Sequence, residues 1–302
     1  MSDQLFQSQL AKVARERGQR REITIDGRST AFWFYPALKR SAKNLVMIHG
    51  YRGNHHGLEA IAGALTSMNV YIPDLPGFGR SEPLARGHSI TEYSRWLDKF
   101  ITGLSLKKKP HLLGHSFGSI VVSAYAARFD GIRSLILENP VSAPALSGPR
   151  AATSVATNAF FKLAGLLPEA AANRLLKGWP LVRGMSVIMT KSRDPKLRGW
   201  IHRQHDENFS DFASRAVALE GYAASVSNCV SDFSADFIVP VLMLVGERDD
   251  ITSIKQQMQL FDSLDVYPSQ LVEFGSVGHL THYEIPSQIA DSIEEWVSEI
   301  DD

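Results

Sequence analysis

Short apolar runs alternate with stretches of helical spacing through most of this chain, and that rhythm restricts the fold more than any other feature. Leu45–Ile48, Leu135–Leu137 and Val241–Val245 are apolar without interruption, as strands buried on both faces must be. Val70–Ile72, His111–Leu113 and Leu271–Phe274 read as further strands. Leu58–Met68, Ile90–Leu104, Ser119–Arg128 and Ile254–Leu264 carry helical spacing between them, and Gln288–Ile300 reads as a closing helix. Glu22–Ile25 and Ala31–Tyr35 flank Asp26-Gly27, a hairpin-turn pair. The predicted class is α/β, with a mainly parallel twisted sheet covered by helices on both faces. Functional loops of such sheets sit at the carboxyl ends of the strands.

The rhythm stops at Asn139-Pro140 and resumes near Val241. The stretch between is rich in Ala, Leu and aromatics at helical spacing, with breaks expected at Pro144, Pro149, Pro168, Pro180 and Pro195. It reads as several helices inserted between two strands. The expected division is a core domain of residues 1–140 and 233–302 and a helical insertion of 141–232. Trp179, Trp200, Phe209, Phe212 and Tyr222 either line a pocket or fill the core of that insertion, packing being the commoner role of aromatics.

Lys plus Arg and Asp plus Glu each number 32 in 302 residues, so bulk charge gives nucleic acid or an anionic membrane no hold. Lys107-Lys108-Lys109 is too short for an electrostatic footprint and reads as a solvated loop. The single cysteine, Cys229, cannot pair within the chain and reads as a small buried apolar residue. No apolar run reaches signal-peptide or membrane-spanning length, so no stable membrane insertion and a cytoplasmic location are expected. Leu5, Leu10 and Val13 suggest a short amphipathic helix at the start.

The central motif is Gly114-His115-Ser116-Phe117-Gly118, a G-x-S-x-G placed after an apolar strand and before an Ala-containing helix. In that setting the serine sits on a tight strand-to-helix turn with its hydroxyl exposed above the sheet. A serine hydroxyl needs a base and a group that orients the base. Both candidates lie downstream at strand ends. Gly246-Glu247-Arg248-Asp249-Asp250 offers the acid, with Asp249 preferred over Asp250, and Glu138 at the end of an earlier strand is a remote rival. Gly275-Ser276-Val277-Gly278-His279 offers the base, with His282 as its competitor. The loop His49-Gly50-Tyr51-Arg52-Gly53 should supply the Tyr51 N–H to pair with that of Phe117 as an oxyanion hole. His49, Gly50, His55 and His115 are candidate pocket residues. No metal ligand set converges, His202 and His205 lacking a partner, and no cofactor is called for. Gly77-Phe78-Gly79 lacks the third glycine of a dinucleotide loop, its place being taken by Glu82.

Taken together, these residues resemble the α/β-hydrolase superfamily. The resemblance runs from about Arg21 to the C-terminus and includes His49-Gly50, Asp74-Leu75-Pro76-Gly77-Phe78-Gly79-Arg80-Ser81, the serine motif, Gly246-Glu247-Arg248-Asp249 and Gly278-His279. It implies a Ser116–His279–Asp249 triad and a helical cap over the pocket. It also implies hydrolysis of a small ester or thioester through an acyl-enzyme. Carbon–carbon bond hydrolysis and acyl transfer share the same scaffold, and a ligand-binding protein without turnover is the alternative of another class. The Asp74–Ser81 stretch is expected to be structural.

Overall fold

The computed structural model of the chain describes residues 6–38, 43–144 and 151–301, with the backbone alone for 151–156. Leu5 and Pro149 lie outside the described residues. At the Asp26-Gly27 turn both residues have positive φ, 51° and 75°, which matches the right-handed twist of a hairpin. The turn joins β1 (Gln19–Ile25) to β2 (Arg28–Tyr35). β3 (Asn44–Ile48), β4 (Asn69–Pro73), β5 (His111–His115), β6 (Leu135–Glu138), β7 (Val241–Gly246) and β8 (Ser269–Phe274) complete one sheet of eight strands. Its order is β1-β2-β4-β3-β5-β6-β7-β8. Only the pairs involving β2 are antiparallel; the rest of the sheet is parallel, as the sequence predicts.

Helices α1 (Phe6–Arg17), α2 (Glu59–Ala64), α3 (Ile90–Gly103) and α4 (Phe117–Ala126) belong to the first half. Between β6 and β7 lie α5 (Ala151–Leu166), α6 (Glu169–Leu176), α7 (Trp179–Met189), α8 (Pro195–Asn208) and α9 (Arg215–Ser227). After β7 come α10 (Ile254–Asp262), α11 (Thr281–Glu284) and α12 (Pro286–Asp301).

The strand period of two splits the core across the sheet. Val46 and Ile48 face one cluster with Tyr93, Trp96 and Phe100 of α3 and Ile120 and Val121 of α4. Leu45 and Met47 face the other, with Ile61 of α2 and Ile289, Ile293 and Trp296 of α12. Each such side chain contributes roughly 1.5–3 kcal/mol by leaving water, so stability is concentrated in the layers that hold the strand ends in place.

Two local expectations change. The helix expected over Leu58–Met68 is a 3₁₀ turn, His55–Leu58, followed by α2, which stops at Ala64. There α1 crosses so closely that a β-carbon on Gly63 would lie 2.0 Å from the Leu10 carbonyl oxygen. Arg17 then donates to the carbonyls of Ala62 and Leu65 and closes the helix end. The buried face of α1 is accordingly Ala11 and Ala14; Val13 is exposed and Leu10 half-buried. The breaks expected at Pro168, Pro180 and Pro195 fall between helices: Pro168 is the N-cap of α6, and Pro180 and Pro195 sit in the first turns of α7 and α8, where proline loses no hydrogen bond. Burial pushes the Cys229 thiol up to about 11, which leaves it unreactive. Among the described residues no helix is long and apolar enough to cross a membrane.

Candidate active site

β3 is flanked by β4 on one side and β5 on the other, so the chain reverses its direction of travel across the sheet there. A crevice opens above the carboxyl ends of strands at such a point. β5 ends at His115 and α4 begins at Phe117, leaving Ser116 alone as the turn at φ 53° and ψ −119°. Holding a side chain in that region costs about 1–3 kcal/mol. Space decides the neighbours. A β-carbon on Gly114 would lie 2.5 Å from the Gly118 carbonyl oxygen, and one on Gly118 would lie 2.3 Å from that of Ile48. Both positions are therefore closed to any larger residue.

His279, in the loop after β8, places Nε2 2.7 Å from Ser116 Oγ. Its Nδ1 lies 2.8 Å from Asp249 Oδ2, in the loop after β7. The other oxygen of Asp249 accepts from the N–H groups of Ile251 (2.6 Å) and Thr252 (3.3 Å). A carboxylate on Nδ1 fixes the proton there and leaves the Nε2 lone pair toward the serine hydroxyl. Asp250 turns away to pair with Lys191, and Ser253, not Asp250, caps α10. His282 is also elsewhere: its ring packs 4.1 Å from that of His115, and its Nδ1 stands 3.8 Å from Glu138.

Glu138 is fully buried at the end of β6. Burial raises its pKa to about 7, against the opposing hydrogen bond from Thr281 and the field of His279. Burial also pushes His115 and His282 well below the ordinary imidazole range, so both are neutral beside it. Thus the remote acid candidate lies beneath the site without bonding to His279.

The loop after β3 rises beside the serine. Its Gly50 is close enough that a β-carbon there would lie 3.3 Å from Ser116 Cβ. His49 accepts the Leu75 N–H on Nε2 (2.9 Å), so its Nδ1–H donates to the Gly50 carbonyl (2.8 Å). Burial lowers its basicity and keeps this neutral tautomer. The Gly53 N–H donates to the same carbonyl at 3.1 Å. In a trans peptide the N–H points opposite to the carbonyl, so the Tyr51 N–H faces away from His49 and Gly53. Phe117 is the first residue of α4, where an N–H has no partner within the helix.

Other residues anchor this loop from above. The Tyr51 hydroxyl donates to the Ala218 carbonyl of α9 at 2.6 Å. Arg52, left-handed at φ 65° and with no solvent exposure, donates to the carbonyls of Leu176 (2.7 Å) and Phe209 (3.1 Å).

His55 is the one expected pocket residue that the structure places outside the cavity. Its backbone N–H and Nδ1 both bind Asp74 Oδ1 at 2.8 Å, and its ring stacks on Trp33 at 3.3 Å. Asp74 in turn accepts from the Arg80 N–H on its other oxygen, which ties the Asp74–Ser81 loop to itself and to His55. His202 and His205 share the Ser186 hydroxyl, at 2.6 and 2.7 Å.

Above Ser116 lies a cavity of about 670 Å³. His49, Gly50, Tyr51, His115, Phe117 and His279 form its floor. The inserted helices form its roof, with Phe161, Leu181, Met185 and Ile188 among the lining side chains. Of the aromatics singled out in the sequence, Phe209 and Tyr222 line it. Trp200 and Phe212 are packed in the interior, and Trp179 is exposed. Leu181, Met185 and Ile188 share one face of α7, but the same spacing is equally that of a packing face, so nothing in the sequence marks them.

The family described as alpha/beta hydrolase fold matches residues 43–286. "Lipase 3" of Moraxella sp. (strain TA144) is 33% identical over 258 residues, covering 82% of this chain and 75% of that protein. "Monoacylglycerol lipase" of Mycolicibacterium smegmatis is 25% identical over 264 residues, covering 84% of this chain and 87% of its own. Among solved structures, a thermophilic esterase from Thermogutta terrifontis superposes with a TM-score of 0.74 at 22% identity, over 93% of this chain and 99% of that one. The match over most of the chain, together with the eight-stranded sheet and its order, makes this protein a hydrolase of the alpha/beta hydrolase fold family.

Proposed function

We propose that this hydrolase cleaves an ester with an apolar acyl group through a Ser116 acyl-enzyme. The continuous relay from Ser116 Oγ through His279 to Asp249, at 2.7 and 2.8 Å, carries the reading. His279 Nε2 takes the hydroxyl proton as Ser116 attacks the carbonyl carbon. The N–H groups of Tyr51 and Phe117 receive the developing oxyanion, and one such donor is typically worth about 3–4 kcal/mol in the transition state. His279 then protonates the leaving alkoxide as the C–O bond breaks. In the second half it removes a proton from the water that attacks the acyl-enzyme, and returns that proton to Ser116 Oγ as the acyl–Oγ bond breaks and the acid leaves. Asp249 holds the tautomer and balances the imidazolium charge.

The insertion of residues 141–232 serves as a cap in this reading. Its apolar lining suits an acyl chain, and the names of the relatives, lipases and esterases, point to the same bond. A cavity of about 670 Å³ exceeds the need of an acetyl group and admits a longer chain. A panel of p-nitrophenyl esters from acetate to laurate tests it. Turnover is expected to rise with chain length beyond acetate and to vanish in Ser116→Ala. No ester turnover at any length, or turnover that survives Ser116→Ala, contradicts the proposal.

A further inference from the structure

We infer that Asn139, at the tip of β6, is the positioning residue that sets the loops of Asp249 and His279 against each other. This rests on the triad reading above. Asn139 is fully buried and left-handed, at φ 41°. Asparagine is one of the few residues with a β-carbon that accept that backbone conformation. Its own N–H donates to the Leu244 carbonyl of β7 at 2.8 Å.

The side chain then spans the two loops. Oδ1 accepts the Gly246 N–H at 2.8 Å, at the point where β7 gives way to the Asp249 loop. Nδ2 donates to the carbonyl of His279 itself at 2.9 Å, and also faces the Gly278 carbonyl at 3.3 Å and Thr281 Oγ1 at 2.8 Å. The chemistry of these partners fixes the amide orientation, since an N–H meets only the oxygen and carbonyls meet only the nitrogen. Thr281, having accepted from Asn139, donates a hydrogen bond from its hydroxyl to Glu138 Oε1 at 2.6 Å. The preceding carbonyl, that of Glu138, accepts the Ser116 N–H at 3.2 Å. One dipeptide, Glu138-Asn139, therefore bonds to the loops of all three members of the relay while touching none of their reacting atoms.

A hydrophobic residue here leaves the Gly246 N–H and the His279 carbonyl without their buried partner. An aspartate keeps the acceptor for Gly246 but lacks the donor for His279. Displacing a reacting group by about 1 Å costs on the order of 100-fold in rate.

The experiment compares wild type with Asn139→Ala and Asn139→Asp. A fluorophosphonate titration counts the reactive serines, and kcat is expressed per labelled site. The expected result is a fall in kcat per site of about 100-fold for Asn139→Ala, with KM held within about threefold. Asn139→Asp should lose part of the same rate. A purely structural role would reduce the labelled fraction or the melting temperature and leave kcat per site at the wild-type value, which overturns the inference. Should neither Asn139 variant fold, Thr281→Val decides, since it removes one acceptor of the same amide: a lowered kcat per site supports the inference and an unchanged one overturns it. A wild type that neither labels nor turns over esters would instead sink the proposed function.

Discussion

The floor and the roof of the cavity are built on different terms. The floor consists of strand ends, each followed by a loop whose polar groups are committed to named partners: Ser116 to Glu138, Asp249 to Ile251 and Thr252, and the His279 carbonyl to Asn139. The roof consists of five helices joined to the floor at separate points of their rim: Tyr51 to Ala218, Arg52 to Leu176 and Phe209, His88 to Glu220, Arg15 to Gln204, Lys191 to Asp250, and the Lys191 and Ser192 N–H groups to Glu284. Two backbone bonds add to these, Gly79 to Asp211 and Ala213 to Gly77. Its contribution to the cavity is mostly apolar surface. The floor is thus suited to hold reacting atoms in register, and the roof to accommodate a substrate's bulk.

That contrast breaks first at the floor. His279→Ala should lower kcat/KM by about 10⁴-fold or more, as loss of a triad base does. His282→Ala should leave turnover easily measured, because that ring packs on His115 and does not reach Ser116. Steady-state rates on one good ester compare the two; equal losses would mean that the relay runs through a different histidine.

At the junction, Arg52→Met should act on the roof. Hydrogen bonds to a charged group contribute about 1.5–3 kcal/mol each, and the substitution removes those to Leu176 and Phe209. Hydrogen exchange should quicken around α6 and the segment after α8 while the β3, β5 and β7 amides stay protected. Uniform loss of protection would show that roof and floor unfold as one unit.

The smallest effect is a pH dependence from Glu138. Its folded pKa, about 7, lies above the ordinary carboxyl value of 4.5. Folding therefore favours its protonated form. That stabilisation is full below about pH 4.5 and is lost as pH rises through about 7. Relative to Glu138→Gln, the wild type should lose melting temperature across that window and run parallel outside it. A constant difference from pH 4 to 8 would show that the buried carboxyl does not titrate there.

The same contrast explains what could be read from the chain. Ser116 was legible because crowding admits only glycine at 114 and 118. The order of apolar runs placed the strands, since a parallel sheet buries them on both faces. The loop ends that follow β7 and β8 were then visible as Gly246 to Asp249 and Gly278-His279. His55 was misread because its partners, Asp74 and Trp33, lie far away in sequence and withdraw it from the cavity. Asn139 looked like the mere end of a strand, because its role depends on loops more than 100 residues downstream. In the roof, helical spacing cannot separate Leu181, Met185 and Ile188, which line the cavity, from Val182 and Ser186, which are packed away.

The central claim is that Ser116 is the nucleophile, and covalent labelling tests it most directly. Wild-type protein treated with a fluorophosphonate and digested should show one adduct, on the peptide carrying Ser116, with none in Ser116→Ala. An adduct on another residue, or none on a protein that hydrolyses esters, would contradict it.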